Sequence, residues 1–262
     1  LMADIFIFIL LVKLFPDKVK RIIIFYFCSP IVLYNCYMYA HLDLVPIALL
    51  TLSIFLLVRE RVLASAILLG CAMGAKAPTV AVFPIAVIYV FRNFPLKKCF
   101  SFFITPWIVY LGIILPYMSS TGYQSEVLHN KEQLQLFSLV VKLGELNIYI
   151  IPMVILMFYV KFFLYNKINR DLFFSFIGLI FSIFSLLIPP TPNWFLWMIP
   201  FHTIFLILLD NRNRNLLILH GVFLLSYFVY FVFFFHGNSF YPADLYNLET
   251  FSKVFHLSPF CV

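Results

Sequence analysis

Long apolar runs, separated by short polar or proline-rich breaks, constrain the fold of this chain more than any other feature of its sequence. Within a bilayer, only an α-helix or a closed β-barrel can pair all of its backbone polar groups. A transmembrane strand needs alternating polar and apolar residues, and runs such as FIFILL, FVYFVFFF and ILMFYVKFF do not alternate. The sequence therefore predicts apolar helices in a membrane.

The composition excludes two other classes of protein. Hydrophobic residues make up 64% of the chain and charged residues 11%, whereas a soluble domain has about 25% charged residues. The net charge of +7 comes from basic residues that occur singly or in pairs, without the dense runs of a nucleic-acid-binding tail. The five cysteines form no CxxC motif. We therefore predict no nucleic-acid partner, no disulfide framework and no metal site.

Breaks in the apolar pattern divide the chain into about ten candidate spans. The predicted fold is an all-α, polytopic bundle of about ten transmembrane helices, in one transmembrane domain that covers residues 1–262. The predicted spans are roughly 1–15, 22–40, 43–58, 62–75, 77–91, 100–118, 146–165, 171–188, 193–209 and 215–235.

Basic residues are distributed unevenly between the two sides of these predicted spans. When the connections are assigned alternately to two sides, fourteen of the eighteen Lys and Arg residues fall on one side. Cytoplasmic loops of membrane proteins carry such an excess. We therefore expect these fourteen residues to be cytoplasmic, and the connections that contain His41, Asp43 and Lys76 to lie on the opposite side.

His41, Asp43 and Lys76 lie at the borders of short predicted spans. Ionisable residues within a membrane are costly and often functional. A helix over residues 43–58 rises only about 24 Å, less than the hydrocarbon core of about 30 Å. We therefore predict an outward-open cavity with Asp43 and Lys76 on its floor or wall. Other interpretations stay open, since Asp43 can cap the helix that follows, Lys76 can extend to the lipid headgroups, and His41 can be an interfacial residue.

Further polar and aromatic residues are candidates for contacts with a substrate. Asp4 falls inside the first apolar run, so helix length places it within the membrane. Asn193 and Trp194, with Trp197 nearby, can stack on a sugar or belong to the aromatic belt that membrane proteins carry at the interface.

Residues 119–145 form the longest connection, which we expect on the non-cytoplasmic side. Apolar residues recur at helical spacing in its second half, which predicts an amphipathic helix that lies on the outer leaflet. Glu126 and His129 precede this predicted helix and are further candidates for substrate contacts. The C-terminal tail, residues 236–262, is more polar and is expected on the same side.

The stretch from Tyr34 to Val87 resembles the GT-C class of integral-membrane glycosyltransferases. His41-Leu-Asp43, Arg59-Glu-Arg61 and the Gly74–Pro78 turn occupy the positions of short motifs in mannosyltransferase-like members that use polyprenyl-phosphate sugars. The later segment PNWFLWMIP is similar to an aromatic and proline-containing segment near the end of that family.

The resemblance implies a reaction in which a carboxylate deprotonates an acceptor hydroxyl, which attacks the anomeric carbon of a polyprenyl-phosphate sugar. The lipid phosphate then leaves, and cations stabilise it. By the same resemblance, Asp43 is the catalytic or sugar-contacting carboxylate, and His41 and Lys76 contact the donor phosphate. No cofactor is assigned, and a divalent cation is left open. The family's base usually follows its first span, and this chain begins at what resembles the second, so we expect an N-terminally truncated fragment.

The sequence-based hypothesis is therefore a multi-pass glycosyltransferase of a bacterial plasma membrane, with a lipid or glycan of the cell envelope as acceptor. The alternative is a transporter or flippase for a lipid-linked or anionic substrate, although the sequence lacks the paired broken segments of inverted-repeat transporters. A polysaccharide polymerase is a third hypothesis that predicts arginines in the outer loops, and the predicted outer loops contain none.

Overall fold

The computed structural model describes residues 1–38, 42–129, 135–143, 145–188, 193–209 and 215–234, and most of these residues are helical. The prediction of a mainly helical chain is therefore confirmed. The elements, numbered in chain order, are α1 (Met2–Leu14), α2 (Pro16–Phe27), α3 (Pro30–Met38), α4 (Leu44–Val58), α5 (Val62–Ala75), α6 (Phe83–Asn93), α7 (Leu96–Ile114), β1 (Val140–Leu143), β2 (Leu146–Tyr149), α8 (Ile150–Phe163), α9 (Arg170–Leu187), α10 (Trp194–Leu209) and α11 (Leu216–Phe234).

Two helices in the described part of the chain are long and apolar enough to cross a membrane: Leu96–Tyr117, which is α7 with the turn that follows it, and α9. A third crossing is obtained if α2 and α3, which meet at an angle of 54°, form one broken span. Within the described residues, six further apolar helical segments have 10–17 residues, among them Leu217–Val229 within α11. The predicted number of about ten transmembrane helices is therefore not confirmed, because most of the predicted spans form helices shorter than a membrane crossing requires.

A tight turn at residues 59–61 folds α5 back against α4. Glu60 in this turn has a positive φ of 62°. Residues other than glycine rarely adopt this left-handed backbone conformation. Ser53 of α4 donates a hydrogen bond to the carbonyl oxygen of Ser65 in α5 at 2.8 Å, which ties the two helices together. Because α4 and α5 run in opposite directions, the residue before α4 lies beside the residue after α5.

The helix α5 also packs closely on α7. The approach is close at Gly70, where a Cβ atom would lie 2.6 Å from the carbonyl oxygen of Pro106 and 2.7 Å from the Cβ atom of Val109. No atom other than hydrogen fits at such distances, so the contact between α5 and α7 requires a glycine at this position.

Aromatic rings pack α10 against α9. The ring of Phe181 in α9 lies 5.6 Å from that of Trp197 and 5.7 Å from that of Phe201, both in α10. Rings at these centroid distances gain both burial and favourable ring–ring contact. This packing fixes the first turns of α10, which contribute to the site described below.

The helix α1 packs alongside α4. Arg59, which follows α4, donates a hydrogen bond to the carbonyl oxygen of Lys13 in the last turn of α1 at 3.4 Å. This bond connects the C-terminal ends of α1 and α4.

The structure differs from the prediction of an interfacial helix between residues 134 and 143. Val140–Leu143 and Leu146–Tyr149 pair as antiparallel strands, with Val140 opposite Tyr149. β-Branched and aromatic residues favour strands, and a connection that contains Gly144 is typical of a hairpin. The prediction was wrong because these local preferences outweigh the helical spacing of the apolar residues. Residues 130–134 and the predicted outer tail lie outside the described residues.

Internal contacts divide the chain into two units, Leu1–Leu224 and Leu225–Val262. The first unit contains all the residues of the site described below. In the second unit, the structure describes residues 225–234, which are the last turns of α11.

Candidate active site

Asp43, the residue before α4, is the centre of a cluster of polar side chains. It is only 4% exposed. Its Oδ1 atom accepts from the ammonium group of Lys76 in an ion pair. Its Oδ2 atom accepts from the amide Nδ2 of Asn193 at 3.0 Å and from the indole Nε1 of Trp197 at 3.2 Å. Both carboxylate oxygens are therefore engaged by donors from α10 and from the end of α5.

The position of Asp43 does not correspond to an ordinary helix cap. A capping side chain accepts a hydrogen bond from a backbone N–H of the first helical turn, and Asp43 makes no such bond to α4. Its own backbone is helical, with φ −58° and ψ −22°. The carboxylate instead faces Lys76 and α10. A buried carboxylate is costly without charge compensation, and the ammonium and the two N–H donors supply it.

Lys76 lies where α5 ends, and its side chain is 37% exposed. Its backbone is extended, with φ −159° and ψ 132°, and Thr79 donates a hydrogen bond to its carbonyl oxygen at 2.7 Å. This bond satisfies a carbonyl oxygen at the helix end. The ammonium of Lys76 forms an ion pair with Asp43. Lys76 therefore does not only extend to the lipid headgroups.

Two neighbouring residues were predicted for the site, Asn193, which precedes α10, and Trp194, which begins it. Asn193 contacts Asp43, whereas Trp194 makes no described contact with it. Trp194 is only partly buried, and its carbonyl oxygen accepts a hydrogen bond from Ser185 at 3.3 Å. Trp197, together with Asn193, donates to Asp43. The sequence indicates this pairing through the spacing of four residues between Asn193 and Trp197, which puts both side chains on one face of a helix.

The other predicted residues are not part of this cluster as far as the structure describes them. Asp4 has its own two tyrosine partners, Tyr26 and Tyr37. The Nδ1 atom of the exposed His129 lies 2.7 Å from the carbonyl oxygen of Gln124, within its own segment.

Two predicted residues cannot be placed in the cluster or outside it. His41 lies outside the described residues. Glu126 lies in the helical segment Gln124–Leu128, and its side chain is outside what the structure describes.

Metal-ligating side chains do not gather in the described part of the chain. Within it, no group of three or more His, Cys, Asp or Glu residues is arranged to hold a metal ion. The described donors to Asp43 are an ammonium, an amide and an indole. An ammonium and an indole N–H are not metal ligands, so these described contacts are those of an ion-paired carboxylate.

Part of the chain matches a family of known proteins. Residues 2–92 match the model of the MptA_B family, described as the N-terminal domain of alpha-(1->6)-mannopyranosyltransferase. No curated protein and no solved structure matches the chain. The matched residues include Asp43 and Lys76, and exclude Asn193 and Trp197. The match and the apolar helices support a mannosyltransferase-like membrane glycosyltransferase.

Proposed function

We propose that this protein transfers a sugar, mannose in the first instance, from a polyprenyl-phosphate donor to a lipid or glycan acceptor of the cell envelope. We place the reaction on the non-cytoplasmic side of a bacterial plasma membrane, as a GT-C-type reaction. The observation that carries this proposal is the partly exposed ammonium of Lys76, held in place by a buried carboxylate. The family match of the segment that contains both residues supports it.

Lys76 is suited to bind the phosphate of such a donor. An ammonium group has three N–H donors, and the ion pair with Asp43 uses one of its faces. The remaining donors can bind phosphate oxygens, which form strong hydrogen bonds with cations. When the bond between the sugar and the phosphate breaks, negative charge grows on the phosphate. A fixed ammonium stabilises that charge and so accelerates the reaction.

The contacts of Asp43 favour a positioning role over that of a general base. A base needs a carboxylate oxygen within reach of the hydroxyl that it deprotonates. Both oxygens of Asp43 already accept from Lys76, Asn193 and Trp197. We therefore propose that Asp43 orients Lys76 and joins α5 to α10, while its assignment as the catalytic carboxylate stays a prediction.

Trp194 and Trp197 have different proposed roles. Trp197 is buried and uses its indole N–H on Asp43. Trp194 is partly exposed at the start of α10, so its ring is available to a sugar or to the isoprenoid chain of a donor. We propose that Trp194 contacts the substrate and that Trp197 maintains the site.

A transfer assay tests the proposed function. Membranes that contain the full-length protein are given radiolabelled polyprenyl-phosphate mannose and an envelope lipid fraction, and new glycosidic bonds are measured. We expect Lys76→Met to reduce transfer by roughly a hundredfold, the scale of removing one group that stabilises transition-state charge. Lys142→Met removes an exposed lysine of β1 and is the matched control, with transfer unchanged.

Two results would contradict the proposal. Undiminished transfer by Lys76→Met would remove Lys76 from the site. Movement of the labelled lipid across the membrane without a new glycosidic bond would favour the transporter or flippase instead.

A further inference from the structure

A second buried carboxylate, Asp4 of α1, binds to both arms of the bent pair α2–α3. Its Oδ1 atom accepts from the hydroxyl of Tyr26 in α2, and its Oδ2 atom accepts from the hydroxyl of Tyr37 in α3, both at 2.8 Å. The two arms are separated by a bend of 54°. One carboxylate therefore connects three segments of the chain.

Asp4 is not accessible to a substrate in this arrangement. It is 0% exposed, and phenol hydroxyls occupy both of its oxygen atoms. A carboxylate buried in an apolar segment is costly, and two hydrogen bonds from phenols offset that cost without an ion pair. The described role of the Asp4 carboxylate is therefore to hold α1, α2 and α3 together through Tyr26 and Tyr37.

The two tyrosines hold the arms in different ways. Tyr26 is completely buried, so packing as well as its hydroxyl fixes it. Tyr37 is 45% exposed, so its bond to Asp4 is a large part of what fixes the end of α3. The chain reaches Asp43 only six residues after Tyr37. The end of α3 that Asp4 holds is therefore close in sequence to the candidate active site.

Asp4 and Asp43 lie at different distances along their helices from the contact that joins the ends of α1 and α4. Nine residues separate Asp4 from Lys13, whose carbonyl oxygen accepts from Arg59, and sixteen residues separate Asp43 from Arg59. Asp4 therefore lies fewer helical turns from this contact than Asp43 does.

We propose that Asp4 is a positioning residue that sets the bend between α2 and α3 through Tyr26 and Tyr37, and thereby supports the donor site at Asp43 and Lys76. The effect on the donor rests on the proposed function. The effect on the bend does not. Asp4 thus supports the donor site and does not itself contact the substrate.

The bend is tested by a distance measurement that needs no activity. Nitroxide labels at Lys20 in α2 and Met38 in α3, both exposed, report the distance between the arms in a full-length, cysteine-free background. We expect one narrow distance distribution for the parent protein. Asp4→Asn and Tyr37→Phe should broaden or shift it. Tyr117→Phe, which removes an exposed hydroxyl beyond α7, is the control that should leave it unchanged.

The transfer assay provides the second measurement. Weakening the contact leaves the donor site assembled for a smaller fraction of the time. The apparent dissociation constant for the donor then rises in inverse proportion to that fraction. We expect Asp4→Asn and Tyr37→Phe to raise the donor KM roughly tenfold, with kcat changed much less, because bound donor selects the assembled site. A residue that served stability alone would lower the amount of folded protein without this change in KM.

The outcomes separate this inference from the proposed function. If the parent protein transfers no sugar, the proposed function fails and the distance measurement still decides whether Asp4 sets the bend. An unchanged distance distribution in Tyr37→Phe overturns the inference, and so does an unchanged donor KM in an active enzyme. Tyr37→Phe removes one hydroxyl from a half-exposed side chain, so it remains informative if Asp4→Asn does not fold.

Discussion

At the scale of single residues, the ion pair between Asp43 and Lys76 is asymmetric. Asp43 is buried, whereas the Lys76 side chain is 37% exposed. Removing the ammonium takes away the described cation partner of a buried carboxylate, and the other described donors, Asn193 and Trp197, are neutral. Removing the carboxylate leaves an ammonium that water or headgroups can solvate. The two substitutions therefore differ in their effects on stability as well as on function.

We expect Lys76→Met to lower the free energy of unfolding more than Asp43→Asn does, by about 1–3 kcal/mol, which is below the range for a fully buried pair because Lys76 is partly exposed. The double variant should recover part of the loss, since it contains no unpaired charge. Thermal unfolding in detergent measures this order. An equal decrease in the free energy of unfolding in the two single variants would contradict the prediction that Asp43 needs Lys76 more than Lys76 needs Asp43.

The indole N–H group of Trp197 donates to Asp43 and can be removed with little change in packing. We expect Trp197→Phe to reduce sugar transfer by about tenfold, the scale of one hydrogen bond to a charged group. Trp107→Phe in α7 is the matched control, with transfer within about twofold of the parent. Transfer by Trp197→Phe equal to that of the control would show that the indole N–H does not maintain the site.

The sequence predicted only part of this cluster. A short turn between two antiparallel helices suffices to bring Asp43 and Lys76 to one end of them. The contacts of Asp43 with Asn193 and Trp197, 150 and 154 residues further along the chain, depend on how α10 packs against α4. Local patterns contain no information on that packing. The sequence analysis thus placed Asp43 and Lys76 at the same end of two helices, but it predicted neither their ion pair nor the contacts of Asp43 with Asn193 and Trp197.

At the scale of helices, small residues determine how closely α5 approaches α7. Gly70 of α5 faces the backbone of Pro106, which has little freedom to move. Gly112 of α7 has nothing within 4 Å of the position of an added Cβ. The two glycines lie in helices of the same unit, so they form a matched pair for substitution.

We expect Gly70→Ala to lower the free energy of unfolding by about 1–3 kcal/mol, because overpacking displaces α7. Gly112→Ala should be neutral or stabilising by up to about 1 kcal/mol, since alanine favours helices. Unfolding of the purified variants in detergent measures both changes. A neutral Gly70→Ala would contradict the close packing of α5 on α7.

Two elements show where prediction from local patterns stops. The strands β1 and β2 replace a predicted interfacial helix, because Val140, Val141 and Ile148 favour extended backbone. The bend between α2 and α3 was predicted as part of one span, although Pro30 interrupts the backbone bonding that would make it straight. In both places the apolar residues were recognised from the sequence. The backbone conformation of these segments depended on which residue types they contain.

At the scale of the whole molecule, the apolar, weakly charged sequence determines the class of fold, whereas the number of membrane crossings does not follow from it. Two helices, or three with the broken span, have the length of a crossing in the described residues. Short helices such as α4 and α5 can instead end below the membrane surface. Their ends, with Asp43 and Lys76, then form a polar site at membrane depth. The positions of these ends relative to the bilayer stay a prediction.

The central claim is that Lys76 binds the phosphate of a lipid-linked sugar, and donor binding tests it most directly. Purified full-length protein and its Lys76→Met, Lys76→Met/Asp43→Asn and Lys142→Met variants are titrated with polyprenyl-phosphate mannose. We expect Kd to rise at least roughly tenfold in both variants that lack Lys76, the scale of one charge-assisted contact, and to stay unchanged in Lys142→Met. An equal Kd in the folded double variant and the parent protein would contradict the account.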